Sequence, residues 1–375
     1  MEVIKMVDLR QQYLKIKAEV DVGIMEVIDS TTFINGPAVQ QFQKNLESYL
    51  GCKYVIPCAN GTDALQIALM SLNLSPGDEV ITTAFTFVAT VEVIELLKLK
   101  PVMVDVDPRT FNMDMDELRK AINPRTKVIL PVHLFGQCVD METLMKIASE
   151  NNLYVVEDAC QAIGADMKFS DGSIKKAGTI GHIGCTSFFP SKNLGAYGDG
   201  GAIFTNDDKL AADLKHIVNH GMAVRYYHDM VGVNSRLDSI QAAILDVKLK
   251  HLDEYASARS KAAAYYSERL QAHPQIKTPV SSPFTTHVFH QYTLIADGFN
   301  RDELIKYLAD KQIPAMIYYP VPLHLQKAYV HHGYKEGDLP VTEELSRTVF
   351  SLPMHTELSN EQLDYICSAI LEFLK

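Results

Sequence analysis

The sequence lacks the features that would indicate a membrane, nucleic-acid or disulfide-rich protein. No stretch of its 375 residues approaches about 18 uninterrupted apolar positions, so no transmembrane helix is predicted. The formal net charge is −11 without a basic block, which argues against nonspecific binding to nucleic acid or to an anionic membrane. The six cysteines have no CxxC spacing, which favours free thiols in a reducing compartment. With a start that lacks a secretory signal pattern, these absences predict a cytoplasmic protein.

Two common phosphate-binding signatures are also missing. No GxGxxG follows a first strand, which argues against a nicotinamide-dependent sugar oxidoreductase. No Gly-Lys-Ser/Thr follows the glycine in residues 59–65, so that segment is not a Walker loop.

Short runs of apolar and β-branched residues alternate with helix-length segments through the first two thirds of the chain. The strand-like runs cover residues 54–57, 79–83, 101–105, 127–132, 153–157, 185–189 and 202–205. Segments whose apolar residues recur at helical spacing lie between several of these runs, as in residues 63–72. This alternation predicts an α/β protein with a mainly parallel sheet covered by helices on both faces. Ligand-binding residues are then expected at the carboxyl ends of the strands.

The alternation stops after about residue 237, where long helical runs begin. Helices are predicted over residues 237–250, 253–272, 301–311 and 361–374, with a strand near 289–295. We therefore predict a large domain over residues 1–250, with a helical N-terminal segment, and a smaller C-terminal α/β domain over residues 251–375.

The first candidate site segment, residues 59–65, follows one predicted strand and opens one helix. N–H groups at a helix N-terminus, the permissive Gly61 and the hydroxyl of Thr62 could cradle an anion such as phosphate. A plain N-capped turn would have the same sequence pattern, and the segment alone leaves both readings open.

The second segment, residues 155–161, places Asp158 just beyond a fully apolar strand. A carboxylate there could oppose a cationic ring nitrogen held over the edge of the sheet. A helix-capping aspartate would fit the same position.

The third segment, residues 186–201, carries Lys192 after an aromatic strand and a proline, among small residues. A partly desolvated lysine is a good amine nucleophile toward a carbonyl, although spacing alone also allows a surface lysine. Ser187 lies five residues upstream and could supply a further hydroxyl to a phosphate. A phosphate cradle, a carboxylate for a ring nitrogen and a nucleophilic lysine are together the protein parts that a pyridoxal phosphate enzyme needs.

The chain resembles the DegT family of sugar aminotransferases in blocks that occur in order almost from end to end. The matching blocks are residues 7–13, 33–37, 59–64, 157–161, 187–201, 234–238, 319–324 and 351–353. The resemblance implies a type I aminotransferase fold, with a mainly parallel seven-stranded sheet domain between helices and a smaller C-terminal domain. It also implies pyridoxal 5'-phosphate as the cofactor, and a homodimer whose active sites are shared between subunits.

The resemblance implies which residues contact the reacting end of the cofactor. Lys192 resembles the lysine that binds pyridoxal phosphate, and Asp158 resembles the partner of its pyridine nitrogen. Gln161 resembles the residue beside the ring hydroxyl. An aromatic ring should stack on the cofactor face, and we predict Phe87 for this role, with Phe85 as the alternative.

The phosphate end is assigned in the same way. Gly61, Thr62 and Ser187 resemble phosphate ligands, and Asn234 resembles an asparagine that reaches the phosphate from the neighbouring subunit. No metal ligand is expected in this site.

Residues 187–192, 201–208 and 231–238 resemble one subgroup most, whose members aminate C3 of UDP-2-acetamido-2-deoxy-3-oxo-glucuronate for surface polysaccharide. The amino donor predicted for such a reaction is L-glutamate. Arg236 is the candidate for gripping the uronate carboxylate, although it could be a scaffold arginine common to the wider family. Tyr318 and Tyr319 occupy substrate-facing positions, and Tyr318 replaces a frequent histidine. His324 is a further pocket candidate, with a core histidine as the alternative.

Several alternatives stay open on the sequence. A dTDP-3-keto-6-deoxyhexose is the second candidate substrate, because its aminotransferases carry a similar stretch around residues 319–324. A dehydratase on the same scaffold would carry histidine in place of Lys192. A non-catalytic regulator of the same family is disfavoured as a DNA-binding protein by the acidic charge and the absence of a basic helix-turn-helix.

Overall fold

A computed structural model of the chain describes residues 3–375. Twelve α-helices are formed in this range: α1 Leu9–Ser30, α2 Pro37–Leu50, α3 Gly61–Met70, α4 Ala89–Leu96, α5 Met115–Ala121, α6 Met141–Glu150, α7 Asp208–Ile217, α8 Ser239–Leu249, α9 Leu252–Leu270, α10 Arg301–Asp310, α11 Pro340–Thr348 and α12 Asn360–Phe373. Short 3-10 helices add Leu134–Gly136, Leu323–Leu325 and Val330–His332.

The described residues also form fourteen strands: β1 Tyr54–Cys58, β2 Glu79–Thr83, β3 Lys100–Val104, β4 Thr126–Ile129, β5 Tyr154–Asp158, β6 Asp166–Lys168, β7 Ile174–Lys176, β8 Ile183–Ser187, β9 Gly201–Thr205, β10 Met222–Val224, β11 Tyr227–His228, β12 Ile276–Lys277, β13 Tyr292–Ala296 and β14 Val349–Leu352. Two hairpins, β6–β7 and β10–β11, lie outside the main sheets.

The central sheet has seven strands in the order β1-β9-β8-β5-β4-β2-β3. Neighbouring strands are parallel from β8 to β3, whereas β9 is antiparallel to both β1 and β8. All seven apolar runs predicted from the sequence correspond to these strands, with ends that differ by up to three residues. The predicted mainly parallel α/β fold is confirmed.

Both faces of the sheet are covered, which is why its strands are continuous apolar runs rather than alternating ones. Val80, Val128 and Val156 pack on one face in a core cluster shared with α3. Their chain neighbours, such as Ile129 and Val155, pack on the opposite face with the helix α6. Because successive side chains of a strand point to opposite faces, two helical layers bury one sheet.

A second core surrounds the three-stranded sheet β12-β13-β14 near the C-terminus. Tyr266 of α9, Tyr292 of β13 and Phe350 of β14 are fully buried there with residues of α10 and α12. Ile4 also packs into this core, and the N–H of Met354 donates to the carbonyl of Met6 over 3.2 Å. The first described residues therefore contact the C-terminal core, and the division at residue 250 stays a prediction.

Within residues 3–375, every helix falls short of the length and apolarity needed to cross a membrane.

Candidate active site

The candidate site lies where strands β5 and β8 end beside the N-terminus of α3. The strand β5 ends at Asp158, and β8 ends at Ser187, five residues before Lys192. Because β5 and β8 are parallel neighbours, their carboxyl ends meet at one edge of the sheet. The sequence prediction placed Asp158 just past its strand, whereas the structure makes it the last residue of β5.

Asp158 is buried, with 5% of its surface exposed, and two groups hold its carboxylate. Thr90 Oγ1 donates to Asp158 Oδ2 over 2.9 Å, and the N–H of Cys160 donates to Oδ1 over 3.2 Å. The backbone of Asp158 is bonded to the residues after β4, since its N–H donates to the carbonyl of Pro131 over 2.9 Å. The carboxylate is therefore fixed in orientation before any ligand binds. Thr90 was not predicted, and no local pattern in the sequence marks it.

A second buried carboxylate, Glu157, holds the segment behind Asp158. It accepts N–H groups from Gly178, Ile180 and Gly181. His133 Nε2 lies 2.8 Å from Glu157 Oε2, and His133 Nδ1 accepts the N–H of Val139 over 3.1 Å. Since Nδ1 is an acceptor, Nε2 carries the proton and donates to the carboxylate.

Lys192 sits in a loop whose backbone is closed on itself. Its N–H donates to the carbonyl of Phe189 over 2.8 Å, and the N–H of Ala196 donates to the carbonyl of Phe188 over 2.8 Å. The neighbouring Asn193 donates from Nδ2 to the carbonyl of Val288 over 2.8 Å. These bonds tie the lysine loop to the segment that leads into β13.

The environment of this loop increases the neutral fraction of the Lys192 amine. Burial lowers the pKa of Lys192 below its ordinary value, and Cys160 and Asp158 act in the opposite direction. Burial raises the pKa of the Cys160 thiol well above its ordinary value, so this thiol stays protonated at neutral pH. A lysine with a lowered pKa has more of the unprotonated form that can attack a carbonyl.

The segment predicted as an anion cradle, residues 59–65, lies at the start of α3 beside the end of β8. Asn60 caps the helix by accepting the N–H of Asp63 over 2.8 Å, which leaves the N–H groups of Gly61 and Thr62 directed out of the helix end. A Cβ on Gly61 would lie 2.7 Å from the Cβ of Ser187, so only glycine allows this approach. The N-terminus of α3 and Ser187 therefore lie side by side.

Gly201, at the start of β9, allows the residue before α3 to pack closely against the sheet. A Cβ there would lie 2.4 Å from the carbonyl oxygen of Asn60. Ser235 Oγ accepts the N–H of Ala59 over 3.0 Å and anchors the other side of the turn. The sequence gives no local indication of the contact made by Ser235.

Gln161 joins the cofactor-facing and substrate-facing segments predicted from the sequence. Its Oε1 accepts the N–H of Phe135 over 2.8 Å, and its Nε2 donates to Tyr319 Oη over 3.1 Å. Burial raises the pKa of Tyr319, so its phenol remains protonated at neutral pH. The structure thus brings Tyr319 to the same edge of the sheet as Asp158.

The two aromatic candidates for ring stacking differ in exposure. Phe85 is 1% exposed and packs among Phe111 and Phe135, whereas Phe87 is 54% exposed. Their ring centroids lie 6.2 and 6.3 Å from that of Tyr319. Only Phe87 of this pair presents a free ring face, which favours the predicted choice.

The other predicted site residues differ in how deeply they are buried. Asn234 is exposed, and Arg236 is half-buried with no ion pair to any residue in the range 3–375. Tyr318 is half-buried, and burial raises its pKa. His324 is fully buried, with Nε2 3.1 Å from Glu343 Oε1, which favours the core-histidine alternative over a pocket role.

These residues fit pyridoxal phosphate. The helix end with Gly61 and Ser187 offers N–H and hydroxyl groups to a phosphate, and Asp158 offers an oriented carboxylate to a ring nitrogen. Lys192 offers an amine with a lowered pKa. On this fold, the arrangement is that of a pyridoxal phosphate enzyme of the type I class.

The chain belongs to the DegT/DnrJ/EryC1/StrS aminotransferase family, which its residues 15–371 match. The members of this family depend on pyridoxal phosphate, and the cofactor prediction is confirmed at that level.

Three curated relatives span nearly the whole chain. A UDP-2-acetamido-2-deoxy-3-oxo-D-glucuronate aminotransferase of Pseudomonas aeruginosa is 46% identical over 367 residues, covering 98% of this chain and 99% of the relative. A pleiotropic regulatory protein of Geobacillus stearothermophilus is 46% identical over 374 residues, covering 99% of both chains. A dTDP-3-amino-3,4,6-trideoxy-alpha-D-glucose transaminase of Streptomyces venezuelae is 38% identical over 368 residues, covering 98% of this chain and 95% of the relative.

Solved structures agree with the fold. A DegT DnrJ EryC1 StrS aminotransferase from Brucella abortus superimposes with a TM-score of 0.94 at 41% identity, covering 99% of both chains. The structure of ntda from Bacillus subtilis with bound cofactor PMP has a TM-score of 0.87 at 33% identity, covering 95% of this chain and 81% of that one.

Proposed function

We propose that this chain transfers the amino group of L-glutamate to the C3 keto group of UDP-2-acetamido-2-deoxy-3-oxo-glucuronate, in the biosynthesis of amino sugars for surface polysaccharide. The observation that carries the reaction class is the juxtaposition of Lys192, Asp158 and the cradle of Gly61 and Ser187 at one sheet edge. The relative that acts on this uronate, 46% identical over 98% of the chain, supports the choice of sugar.

Each residue has a defined task in this proposal. Bound pyridoxal phosphate supplies an electron sink for the carbanion of the amino donor. Asp158, held by Thr90, keeps a proton on the pyridine nitrogen. With the cofactor bound, Lys192 Nζ would take the proton from the donor's α-carbon as a base and would then give it up as an acid. The N–H groups at the start of α3 and the hydroxyls of Thr62 and Ser187 hold the phosphate.

The reaction class is tested by substitution at these two residues. Lys192→Ala should abolish transamination and the visible absorbance of the lysine-bound cofactor, because no other amine takes its place. Asp158→Asn should still bind cofactor but lose most of the rate, because an amide cannot hold the ring proton. Single-turnover absorbance with glutamate measures both effects. Full turnover in Lys192→Ala would contradict the proposal. Absence of turnover in the parent chain would instead favour a regulator, a possibility raised by the name of the Geobacillus stearothermophilus relative.

Arg236 is the residue that we propose for the uronate carboxylate. It makes no ion pair within residues 3–375, so its guanidinium is available for a bidentate contact. Arg236→Gln should raise KM for the uronate sugar more than KM for glutamate, with Arg109→Gln, an exposed arginine in the loop after β3, as the control. An equal loss with sugars that lack a carboxylate would show that Arg236 is a scaffold residue instead.

A dTDP-3-keto-6-deoxyhexose is the second candidate substrate, favoured by Tyr318 and by the 38% identical dTDP-sugar transaminase. Each keto sugar would be offered to the pyridoxamine form of the enzyme, and the return of the pyridoxal absorbance would be followed. We expect turnover of the uronate. Turnover of the 6-deoxy sugar without turnover of the uronate would overturn this choice.

We also propose that the active enzyme is a homodimer in which Asn234 completes the phosphate site of the partner. Asn234 is exposed, and residues 226–231 before it expose apolar and aromatic surface, with Tyr226 at 76%, Tyr227 at 69% and Val231 at 85%. A second copy would bury this surface.

Mixing two inactive variants tests this sharing. A hybrid of Lys192→Ala and Asn234→Ala chains would contain one site with both residues intact if Asn234 acts in the partner. Activity should therefore reappear on mixing under exchange conditions. If Asn234 acts within its own chain, each site of the hybrid keeps one of the two defects, and the activity stays that of the separate variants.

A further inference from the structure

A cluster of two histidines and one carboxylate lies outside the proposed active site. Glu95 belongs to α4, and His331 and His332 belong to the 3-10 helix Val330–His332. The candidate ligand atoms of the three side chains all lie within 4.8 Å of one another. The two imidazole rings are 4.2 Å apart between centroids, with an angle of 41° between their planes.

Both oxygens of Glu95 are directed at the imidazoles. His331 Nε2 lies 3.4 Å from Oε2, and His332 Nε2 contacts Oε1. Within residues 3–375, Glu95 makes no ion pair to a lysine or an arginine. The negative potential at the cluster is therefore not cancelled by a fixed cation.

The three side chains offer the ligand types of a transition-metal site, and His331 and Glu95 have the spacing of two of its ligands. With metal–ligand bonds of about 2.0–2.1 Å, neighbouring ligand atoms of a tetrahedral site are about 3.4 Å apart. The separation between His331 Nε2 and Glu95 Oε2 is 3.4 Å. Imidazole nitrogens favour Zn²⁺, Co²⁺ and Ni²⁺, whereas Ca²⁺ and Mg²⁺ take oxygen ligands.

We propose that Glu95, His331 and His332 bind one divalent transition-metal ion of the Zn²⁺ type, with water as the fourth ligand. The ion ties the segment after His324 to the helix that follows Phe87. Glu95 and His332 are 237 positions apart in the chain, so the unfolded chain cannot present the same site. Metal binding therefore stabilises the folded state.

The first test is a Co²⁺ titration of the untagged holoenzyme, with Co²⁺ d–d absorbance read at longer wavelengths than the cofactor absorbs. We expect one Co²⁺ per chain with the band intensity of a tetrahedral site, displaced by Zn²⁺ but not by Mg²⁺ or Ca²⁺. Glu95→Gln and His331→Gln should each weaken Co²⁺ binding by at least about ten-fold, the smallest loss typical even of an outer-shell change. The matched control is His216→Gln on α7, which should bind as the parent does.

The second test follows the thermal midpoint with and without Zn²⁺. His331 is exposed, with 58% of its side chain accessible, so its substitution should leave the fold intact. Zn²⁺ should raise the midpoint of the parent and of His216→Gln, but not that of His331→Gln. Undetectable Co²⁺ bands in the parent, or equal affinity in the parent and the ligand variants, would overturn the proposal. Neither readout depends on the identity of the sugar substrate or on turnover.

Discussion

At the scale of single residues, the candidate site depends on how each reactive group is held by a neighbour. Asp158 is oriented by Thr90, and Gln161 is oriented by the N–H of Phe135. Lys192 is set by a loop that hydrogen bonds to itself and to residue 288 through Asn193. Such prior orientation is what lets a site act without rearranging its own dipoles during the reaction.

Gly61 offers a direct test of the phosphate cradle. In Gly61→Ala, the new Cβ would lie 2.7 Å from the Cβ of Ser187 and 3.0 Å from Cys160 Sγ, so the cradle must widen. Overpacking of this kind costs about 1–3 kcal/mol, which corresponds to a weakening of the affinity for pyridoxal phosphate by roughly five- to 150-fold. Reconstitution of apoenzyme, titrated by absorbance, measures the affinity.

The matched control for this change is Gly23→Ala in α1, where the nearest atom would be the Cβ of Ala243 at 3.5 Å. That distance is an ordinary van der Waals contact, and we expect unchanged cofactor affinity. Equal affinity in Gly61→Ala and the parent would mean that the phosphate does not use this helix end.

At the scale of elements, the strand β5 is fastened at its carboxyl end by a buried hydrogen-bond network. Glu157 receives three backbone N–H groups from the turn before β8 and a further bond from His133. A fully bonded buried carboxylate of this kind holds two parallel strands in one register, and with them the positions of Asp158 and Ser187.

Glu157→Gln should loosen this end of the sheet. An amide oxygen can replace only one carboxylate oxygen, and the amide NH₂ would face N–H donors. Leaving buried donors unpaired costs about 1–3 kcal/mol each, so the free energy of unfolding should fall by at least that amount. Denaturant unfolding of the holoenzyme measures this, with Glu150→Gln at the exposed end of α6 as the control. A change below about 0.5 kcal/mol, the usual range for surface substitutions, would contradict this role of Glu157.

At the scale of the whole molecule, we expect buried histidines to determine how the stability of the fold responds to acid. His355 lies in the segment where residues 353–357 meet the N-terminal residues of the chain, next to the bond between Met354 and Met6. Burial lowers the pKa of His355 to about 4, and burial lowers the pKa of His287 to about 3. Both imidazoles are therefore neutral in the folded protein under mildly acidic conditions.

These pKa values determine whether acid stabilises or destabilises the folded protein. An unfolded histidine has a pKa of about 6.5, so between about pH 6.5 and 4 the unfolded chain binds a proton at His355 that the folded chain does not. The stability contributed by neutral His355 is thus complete above about pH 6.5 and is lost as the pH falls toward 4. We expect the thermal midpoint to drop through this window.

His355→Asn should make that drop shallower, since asparagine can still accept the N–H of Glu357 but does not titrate. The control is His216→Asn, on the surface of α7, which should follow the parent curve. Parallel curves for His355→Asn and the parent would show that another group causes the loss in acid.

Much of the fold could be predicted from the sequence because its central strands are buried on both faces. A strand such as β9, which is buried at all five positions, then carries no charged residue, and this makes it visible as a run in the sequence. The hairpins β6–β7 and β10–β11 were not predicted, because strands of two or three residues leave no recognisable pattern. His324 shows a different limit, since a pocket histidine and a core histidine have the same neighbours in sequence.

What the sequence by itself determined is the set of chemical groups and the sheet edge at which they gather. Lys192, Asp158 and Gly61 each follow a predicted strand, and the carboxyl ends of parallel strands necessarily meet. Only the tertiary structure decided which side chains support them. The contacts of Thr90 with Asp158, of Tyr319 with Gln161 and of His332 with Glu95 join residues 68, 158 and 237 positions apart. Such pairs depend on the crossovers that order the strands and on how the C-terminal segment packs across them, and no local pattern encodes that packing.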